Sequence, residues 1–364
     1  MGKAREREQL NRILGEHLNI IHETHQALDQ TADLSLNKVS WDEVIKMGEQ
    51  VSKQATLVGM LWTGVAPEVK ALEENMASYF NILQGFLLLS HGSTVGAGPT
   101  LSSYVNTSMK QVIDSSFVLW KESVSSYGSH SKEQQKRTIP QLVGAVWDAC
   151  SALKKTPATN IMAIGRAVTQ VAVPMKDVLR EMKELKPSSS DSAEASDEVS
   201  VNEECEPHVG DNSDDGDMGN DLTPEEMKVA QCAIDVVSDM LVVLKELIRT
   251  VTLFKKEDPD GSSKYVDSLE KLLKLCQGIG IQIDELGACL YPPQEHPAIG
   301  TASEKISGMI DEMLVELDKL DVPRGSFVQA CADSKRSLGQ LGSELGNSTD
   351  TEVLAKIERL DLTS

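Results

Sequence analysis

The sequence is poor in aromatic residues, since phenylalanine, tyrosine and tryptophan together make up 4% of its 364 residues. Its interior must therefore be filled by leucine, valine, isoleucine, methionine and alanine. That set of side chains favours packing between helices over the cores of β-sandwiches and barrels. Runs that alternate apolar and polar residues, which indicate strands, are also missing. The sequence thus predicts an all-α protein.

Clusters of basic residues and long apolar runs are missing as well. The formal net charge is −21, and the basic residues are scattered apart from short pairs. Nucleic-acid phosphates and anionic membranes both require a basic surface, so we expect no direct binding to nucleic acid and no membrane attachment. No apolar run approaches the ~20 residues that span a bilayer. The polar N-terminal residues do not resemble a secretory signal. We expect a cytoplasmic and nuclear protein.

Recognisable catalytic and metal-binding patterns are absent too. The six cysteines contain no CxxC pair, which indicates reduced thiols. His22 and His25 are three residues apart, whereas the helical zinc motif needs a spacing of four. Residues 211–216 match the start of a calcium-binding loop, but Leu222 stands where the bidentate glutamate is required. We therefore expect no enzymatic activity, no metal and no cofactor.

Residues 186–221 are strongly acidic, with twelve acidic residues, one basic residue and no aromatic residue. Such a segment cannot bury enough apolar surface to offset its chain entropy. We predict a disordered acidic linker between two domains, residues 1–185 and 222–364. Ser188 and Ser200 each stand three residues before an acidic residue, a pattern that acidophilic kinases read. They are candidate phosphorylation sites, and a plain solubilising spacer is an equal alternative.

In both halves, apolar residues recur at alternating spacings of three and four, which predicts amphipathic helices. Turn residues between these stripes predict about six helices before the linker and four or five after it. Short connections favour antiparallel neighbours, so we predict two up-and-down helix bundles. The sequence Thr-Pro-Glu-Glu at residues 223–226 predicts a capping box at the start of a long helix.

Proline interrupts one of these stripes. Pro174 lies in the middle of the apolar stripe that begins at Ile161 and ends at Leu185. Within a helix it removes one backbone hydrogen bond and clashes with the preceding turn, at a cost of ~3 kcal/mol. We predict a kinked helix here, with two shorter helices as the alternative.

Several short segments of the chain carry a family resemblance. They are Trp41 followed by VSKQAT at 51–56, VWDAC at 146–150, and the YPPxxH turn formed by Tyr291, Pro292, Pro293 and His296. These segments, their order along the chain and the acidic break between two helical halves resemble those of the cyclin-D-interacting protein (GCIP) family.

The resemblance implies an all-helical adaptor that binds D-type cyclins, restrains cyclin-dependent kinase activity and moves between nucleus and cytoplasm. It also implies helix-loop-helix transcription factors as partners. The family is described as helix-loop-helix-like without a basic region to contact DNA, and this chain likewise has no basic cluster before a helix pair. The candidate partner contact is the turn of Tyr291, Pro292, Pro293 and His296, which holds an aromatic ring and two prolines at low entropic cost. The alternative for the turn is a rigid connector. The alternative for the protein is a cytoskeletal scaffold bundle like the vinculin and talin rods.

Overall fold

The structure is a computed structural model that describes residues 2–28, 32, 35–63, 68–127, 132–187, 221–257, 265–320 and 323–361. Nearly all of these residues are helical, so the predicted all-α class is confirmed. The described part of the chain has six α-helices before the acidic segment and four after it, in agreement with the prediction. The segment 188–220, with most of the predicted linker, lies outside the described residues.

The helices are numbered along the chain. A 3₁₀ helix, Leu153–Lys155, follows the fifth α-helix, and two-residue strands β1 (Lys186–Pro187) and β2 (Asp221–Leu222) pair in parallel. The α-helices are α1 Gly2–Ala27, α2 Trp41–Thr63, α3 Val69–Ser93, α4 Pro99–Ser125, α5 Lys132–Ala152, α6 Asn160–Lys183, α7 Pro224–Glu257, α8 Val266–Ala288, α9 His296–Asp318 and α10 Gly325–Asp361.

The chain forms two compact units. The first unit comprises Met1–Ala167 and Phe254–Glu270, and the second comprises Val168–Leu253 and Lys271–Ser364. Helix α6 therefore contributes to both units, and so do α7 and α8. The domain bounds expected from the acidic segment stay a prediction.

The first unit is an up-and-down arrangement of α1 to α5. The indole N–H of Trp41, at the start of α2, donates to the carbonyl oxygen of Leu153 beyond the end of α5, at 3.0 Å. The indole N–H of Trp147 in α5 donates to Thr56 Oγ1 further along α2, at 3.2 Å. These two pairs make α2 and α5 antiparallel, which agrees with the short loops between successive helices.

Aromatic side chains occupy the centre of the first unit although they are scarce in the sequence. Tyr79 and Trp120 are fully buried and meet edge to face, with ring centroids 5.6 Å apart. The hydroxyl of Tyr79 donates to Ser116 Oγ at 2.7 Å, so its polar atom is satisfied in the core. Burial raises the pKa of this hydroxyl well above its ordinary value, and Tyr79 stays neutral. Large rings thus join α3 to α4, whereas aliphatic residues fill the rest.

The second unit packs the end of α6 with α7 to α10. Ser337 Oγ in α10 donates to Asp239 Oδ2 in α7 at 2.6 Å. Helices α6 and α8 approach so closely that a Cβ atom on Gly287 would lie 2.7 Å from Val178 Cγ1. Glycine is therefore required at that contact.

A capping box starts α7, as the sequence predicts. The N–H of Glu226 donates to Thr223 Oγ1 at 3.2 Å, and the N–H of Thr223 donates to Glu226 Oε2 at 2.9 Å. Two backbone donors that the first helical turn leaves unpaired are thus satisfied.

Helix α6 continues through Pro174 from Asn160 to Lys183. The alternative of two shorter helices is therefore wrong. Pro174 is exposed, whereas the next residue, Met175, is fully buried. The apolar face packs without interruption, and this packing offsets the local cost of the proline. The kink stays a prediction.

Candidate partner-binding site

The connection between α8 and α9, residues 289–295, is fastened to the start of α7. The side-chain amide of Gln294 donates to the carbonyl oxygens of Glu226 at 3.0 Å and Leu290 at 3.2 Å. The backbone N–H of Gln294 donates to Glu226 Oε1 at 3.4 Å. The capping box and the turn therefore form one hydrogen-bonded unit, which holds the turn in a fixed position. Its members are Thr223, Glu226, Leu290 and Gln294.

A large open groove lies beside this turn. Its volume is about 1100 Å³, and its walls are the first turn of α7, the first three turns of α9 and one face of α10. We call it the α7–α9–α10 groove. Its lining residues include Thr223, Glu225, Glu226, Pro293, Gln294, His296, Pro297, Gly300, Ser303, Glu304, Ser307, Lys335, Leu338, Gly339, Gly342, Leu345 and Gly346.

Four glycines within the two helices face this groove. They are Gly300 in α9 and Gly339, Gly342 and Gly346 in α10. A Cβ atom added at any of the four would meet no atom within 4 Å. Helix packing therefore does not require these glycines, although glycine within a helix costs ~0.5–1 kcal/mol relative to alanine. Because these four residues have no side chain, the groove is open above them.

The rim of the groove is acidic. Glu225 and Glu226 come from the first turn of α7, and Glu304 comes from α9. Lys335 also lines the groove, but its ammonium group is paired with Asp311. The three carboxylates thus leave a net negative rim, where a basic partner is favoured.

A second, smaller cavity of about 300 Å³ lies on the side of the turn that carries Tyr291. Val178, Met182 and Leu185 supply its apolar wall. Tyr291 is 42% exposed. Its ring is thus an amphipathic surface element between an apolar cavity and solvent.

The structure therefore divides the predicted contact residues between two surfaces. Pro293 and His296 line the α7–α9–α10 groove, Tyr291 lines the smaller cavity, and Pro292 lies between them in the chain. Partner contact by this turn stays a prediction. The hydrogen bonds of Gln294 support the alternative of a rigid connector, and the two roles are compatible. Ser188 and Ser200 lie outside the described residues.

The described residues contain no group of three or more histidine, cysteine, aspartate or glutamate side chains that could hold a metal ion. The candidate calcium-binding loop at 211–216 lies outside them. Burial raises the pKa of the Cys150, Cys276 and Cys331 thiols to about 12. A thiol with such a pKa is a poor nucleophile. In the described part of the chain, no helix is both long and apolar enough to cross a membrane.

Sequence patterns did not predict two features of the described surface. One is the row of glycines that lines the groove, because isolated glycines in a helical stripe look like ordinary tolerated residues. The other is the contact between Trp147 and α2, since this side chain is 44% exposed and yet donates its indole N–H to α2. A tryptophan on the polar side of a predicted helix is the signal for the second feature.

Comparison with known families accounts for both halves of the chain. The family model described as "Grap2 and cyclin-D-interacting, N-terminal" matches residues 43–188, and "Grap2 and cyclin-D-interacting, C-terminal" matches residues 209–315. Together they cover well over half of the chain. The chain belongs to the Grap2 and cyclin-D-interacting family. The resemblance seen in the sequence is thus confirmed.

A curated relative in the Grap2 and cyclin-D-interacting family is the Cyclin-D1-binding protein 1 homolog of Xenopus laevis. It is 21% identical to this chain over 281 residues, which cover 75% of this chain and 78% of the relative. The family match begins within α2 and ends within α9. The α10 wall of the groove therefore lies outside both matched ranges.

Proposed function

We propose that this chain is a non-catalytic helical adaptor that binds a D-type cyclin and thereby restrains cell-cycle progression or transcription. Its membership of the Grap2 and cyclin-D-interacting family supports the cyclin as partner. So does the name of its Xenopus relative, a cyclin-D1-binding protein homolog. The structural observation that carries the proposal is the hydrogen-bonded turn of residues 291–296. It places an exposed aromatic ring at the smaller cavity, and Pro293 and His296 in the groove of about 1100 Å³.

The proposed physical mechanism is that this chain occludes a helix or groove on its partner. A turn that is already fixed loses little conformational entropy when a partner binds, so its contacts contribute more of their energy to affinity. An amphipathic helix laid into a groove is a common mode for such contacts. Helix-loop-helix transcription factors present helices of this kind and are the second class of partner in the proposal. Both classes fit a protein of the cytoplasm and nucleus.

The test is direct binding between the purified full chain and a purified D-type cyclin, measured by calorimetry. We expect saturable binding, and we expect Tyr291→Ala with Pro293→Ala to raise Kd by about tenfold, because aromatic anchors dominate interfaces. The control is Val328→Ala, which truncates an exposed side chain in α10. Absence of binding by the unsubstituted chain would contradict the proposal.

A scaffold of the vinculin or talin-rod type is the second candidate function. The up-and-down order of α1 to α5 favours it, because rod proteins are built from such bundles. Cosedimentation with actin filaments tests it. Saturable cosedimentation combined with no affinity for the cyclin would replace the adaptor proposal with the scaffold.

A further inference from the structure

The α7–α9–α10 groove has the length and the lining of small residues that a site for one helix needs. Its α10 wall extends from Lys335 to Gly346, which is about 17 Å at 1.5 Å per residue, or three turns of an occupying helix. Helices pack with axes 8–10 Å apart, and the shortest separations need small residues at the contact. The open positions at Gly339, Gly342 and Gly346 supply that space.

The spacing of the small residues matches this interpretation on both walls. In α10 the glycines at 339, 342 and 346 follow steps of three and four, and in α9 Gly300, Ser303 and Ser307 follow the same steps. Such residues lie on one face of each helix. Two facing walls of small residues form a channel, and Leu338 and Leu345 supply apolar surface along it.

The charges on the rim determine the kind of helix that fits. Glu225 and Glu304 are exposed, and Lys335 is already paired with Asp311. The rim carboxylates repel an acidic occupant and attract a basic one. The acidic segment itself and a second copy of this chain, with net charge −21, are therefore disfavoured occupants.

We propose that the α7–α9–α10 groove binds an amphipathic partner helix that carries a stripe of alanine and leucine flanked by lysine or arginine. The helix stripe lies on the glycines, and the basic residues pair with Glu225 and Glu304. The charge of Glu226, whose oxygens accept from backbone N–H groups, adds to the attraction. This proposal deepens the proposed function, on which the identity of the natural partner rests. It goes beyond the family match, because α10 lies outside the matched ranges.

The groove is tested by filling it. Gly342→Leu places a large side chain where the structure has open space, and Gly308→Leu makes the same change at an exposed α9 position that does not line the groove. The probe is a synthetic amphipathic peptide with alanine and leucine on one face and lysine on the flanks, titrated into the full chain. We expect Gly342→Leu to weaken binding by at least about tenfold and Gly308→Leu to leave Kd unchanged. Far-ultraviolet circular dichroism checks that both variants fold.

The charge requirement is tested separately. Glu304→Lys reverses a charge on the rim, and Glu23→Lys makes the same change in net charge at an exposed position of α1 in the first unit. We expect Glu304→Lys alone to lower the association rate and to reduce its dependence on salt. A matched peptide with glutamate in place of lysine should not bind.

The outcomes separate this proposal from the proposed function. The groove proposal is wrong if the lysine peptide does not bind, or if Gly342→Leu leaves its Kd unchanged. Equal binding of the glutamate peptide overturns the charge requirement. If the cyclin binds and Gly342→Leu does not affect it, the adaptor function stands and the groove is not its site. If the peptide binds in the groove and the cyclin does not bind at all, the groove stands and the cyclin proposal fails.

Discussion

The indole N–H of Trp147 lies 3.3 Å from the carbonyl oxygen of Ser52, and it also donates to Thr56 Oγ1 at 3.2 Å. Trp147 belongs to the VWDAC segment and Ser52 to the VSKQAT segment, which are 95 residues apart in the chain. Two of the short segments that carry the family resemblance are therefore parts of one contact between α2 and α5. The contact fixes a tryptophan that remains 44% exposed.

This contact predicts a modest loss of stability in Trp147→Phe. Phenylalanine keeps an aromatic ring but lacks the N–H donor, so we expect a loss of about 0.5–1.5 kcal/mol in the free energy of unfolding. Urea denaturation measures it. Thr56→Val removes one of the two acceptors, and the two substitutions combined should cost less than the sum of their separate effects. Full additivity would show that the hydrogen bond to Thr56 contributes nothing.

The capping box predicts that Thr223→Ala destabilises the second unit. The alanine leaves the N–H of Glu226 without its acceptor, and we expect a loss of about 1 kcal/mol. Thr223→Ser retains the hydroxyl and is the matched control. Equal denaturation midpoints for the alanine and serine variants would contradict the role of the cap.

Glu316 makes the stability of the second unit sensitive to acid. Its side chain is 3% exposed, and Oε1 accepts hydrogen bonds from Lys271 and Lys319, each at 2.8 Å. The hydrogen bond from Lys271, with that from Lys319, lowers the pKa of Glu316 from 4.5 to about 2. Because the folded pKa lies below the ordinary value, this stabilisation is present above about pH 4.5 and is lost as the pH falls towards 2.

We therefore expect the free energy of unfolding of Glu316→Gln to depend less on pH between about pH 4.5 and pH 2 than that of the original chain. At neutral pH we expect this substitution to destabilise the protein by about 1–3 kcal/mol. Denaturation midpoints measured across this range check it. The control is Glu304→Gln, because Glu304 is exposed and makes no ion pair among the described residues. If both variants keep the acid dependence of the original chain, Glu316 is not its source.

Substitution of a glycine by alanine should raise stability where the glycine faces open space and lower it where the glycine is in close contact with a neighbour. At Gly342 the new Cβ atom meets nothing within 4 Å, so we expect a gain of about 0.5–1 kcal/mol from the lower entropy of the unfolded chain. At Gly287 it would lie 2.7 Å from Cγ1 of Val178, whose branched side chain is stiff, so we expect a loss of stability. Thermal denaturation compares the two variants. A fall in Tm for Gly342→Ala would show that the groove is closed in solution.

The buried thiols predict slow chemical labelling in the native protein. Burial raises the pKa of Cys150, Cys276 and Cys331 to about 12, so almost no thiolate is present at pH 8. We expect a thiol reagent to modify these three only when denaturant is added, with mass spectrometry locating the label. Rapid labelling of Cys276 in the absence of denaturant would mean that α8 opens readily.

Patterns in the sequence were enough to predict the helical class, the number of helices to within one, and the family. Apolar residues spaced by three and four specify a helix with one buried face wherever it packs, and Thr223 with Glu226 specifies a cap from local chemistry alone. The short segments around Trp41, Trp147 and Tyr291 indicated the family because they match in order along the chain.

Which of these residues meet follows from the tertiary structure and not from local patterns. Trp147 reaches Ser52, and Gln294 reaches Glu226, across separations in the chain that no local pattern encodes. Pro174 stays within one helix because the packing of its buried face offsets a local cost that the sequence shows in isolation. The groove exists because α7, α9 and α10 place their small and acidic residues around one open space. The physical reason is the same in each case: helix formation follows neighbours in the chain, whereas a site follows neighbours in space.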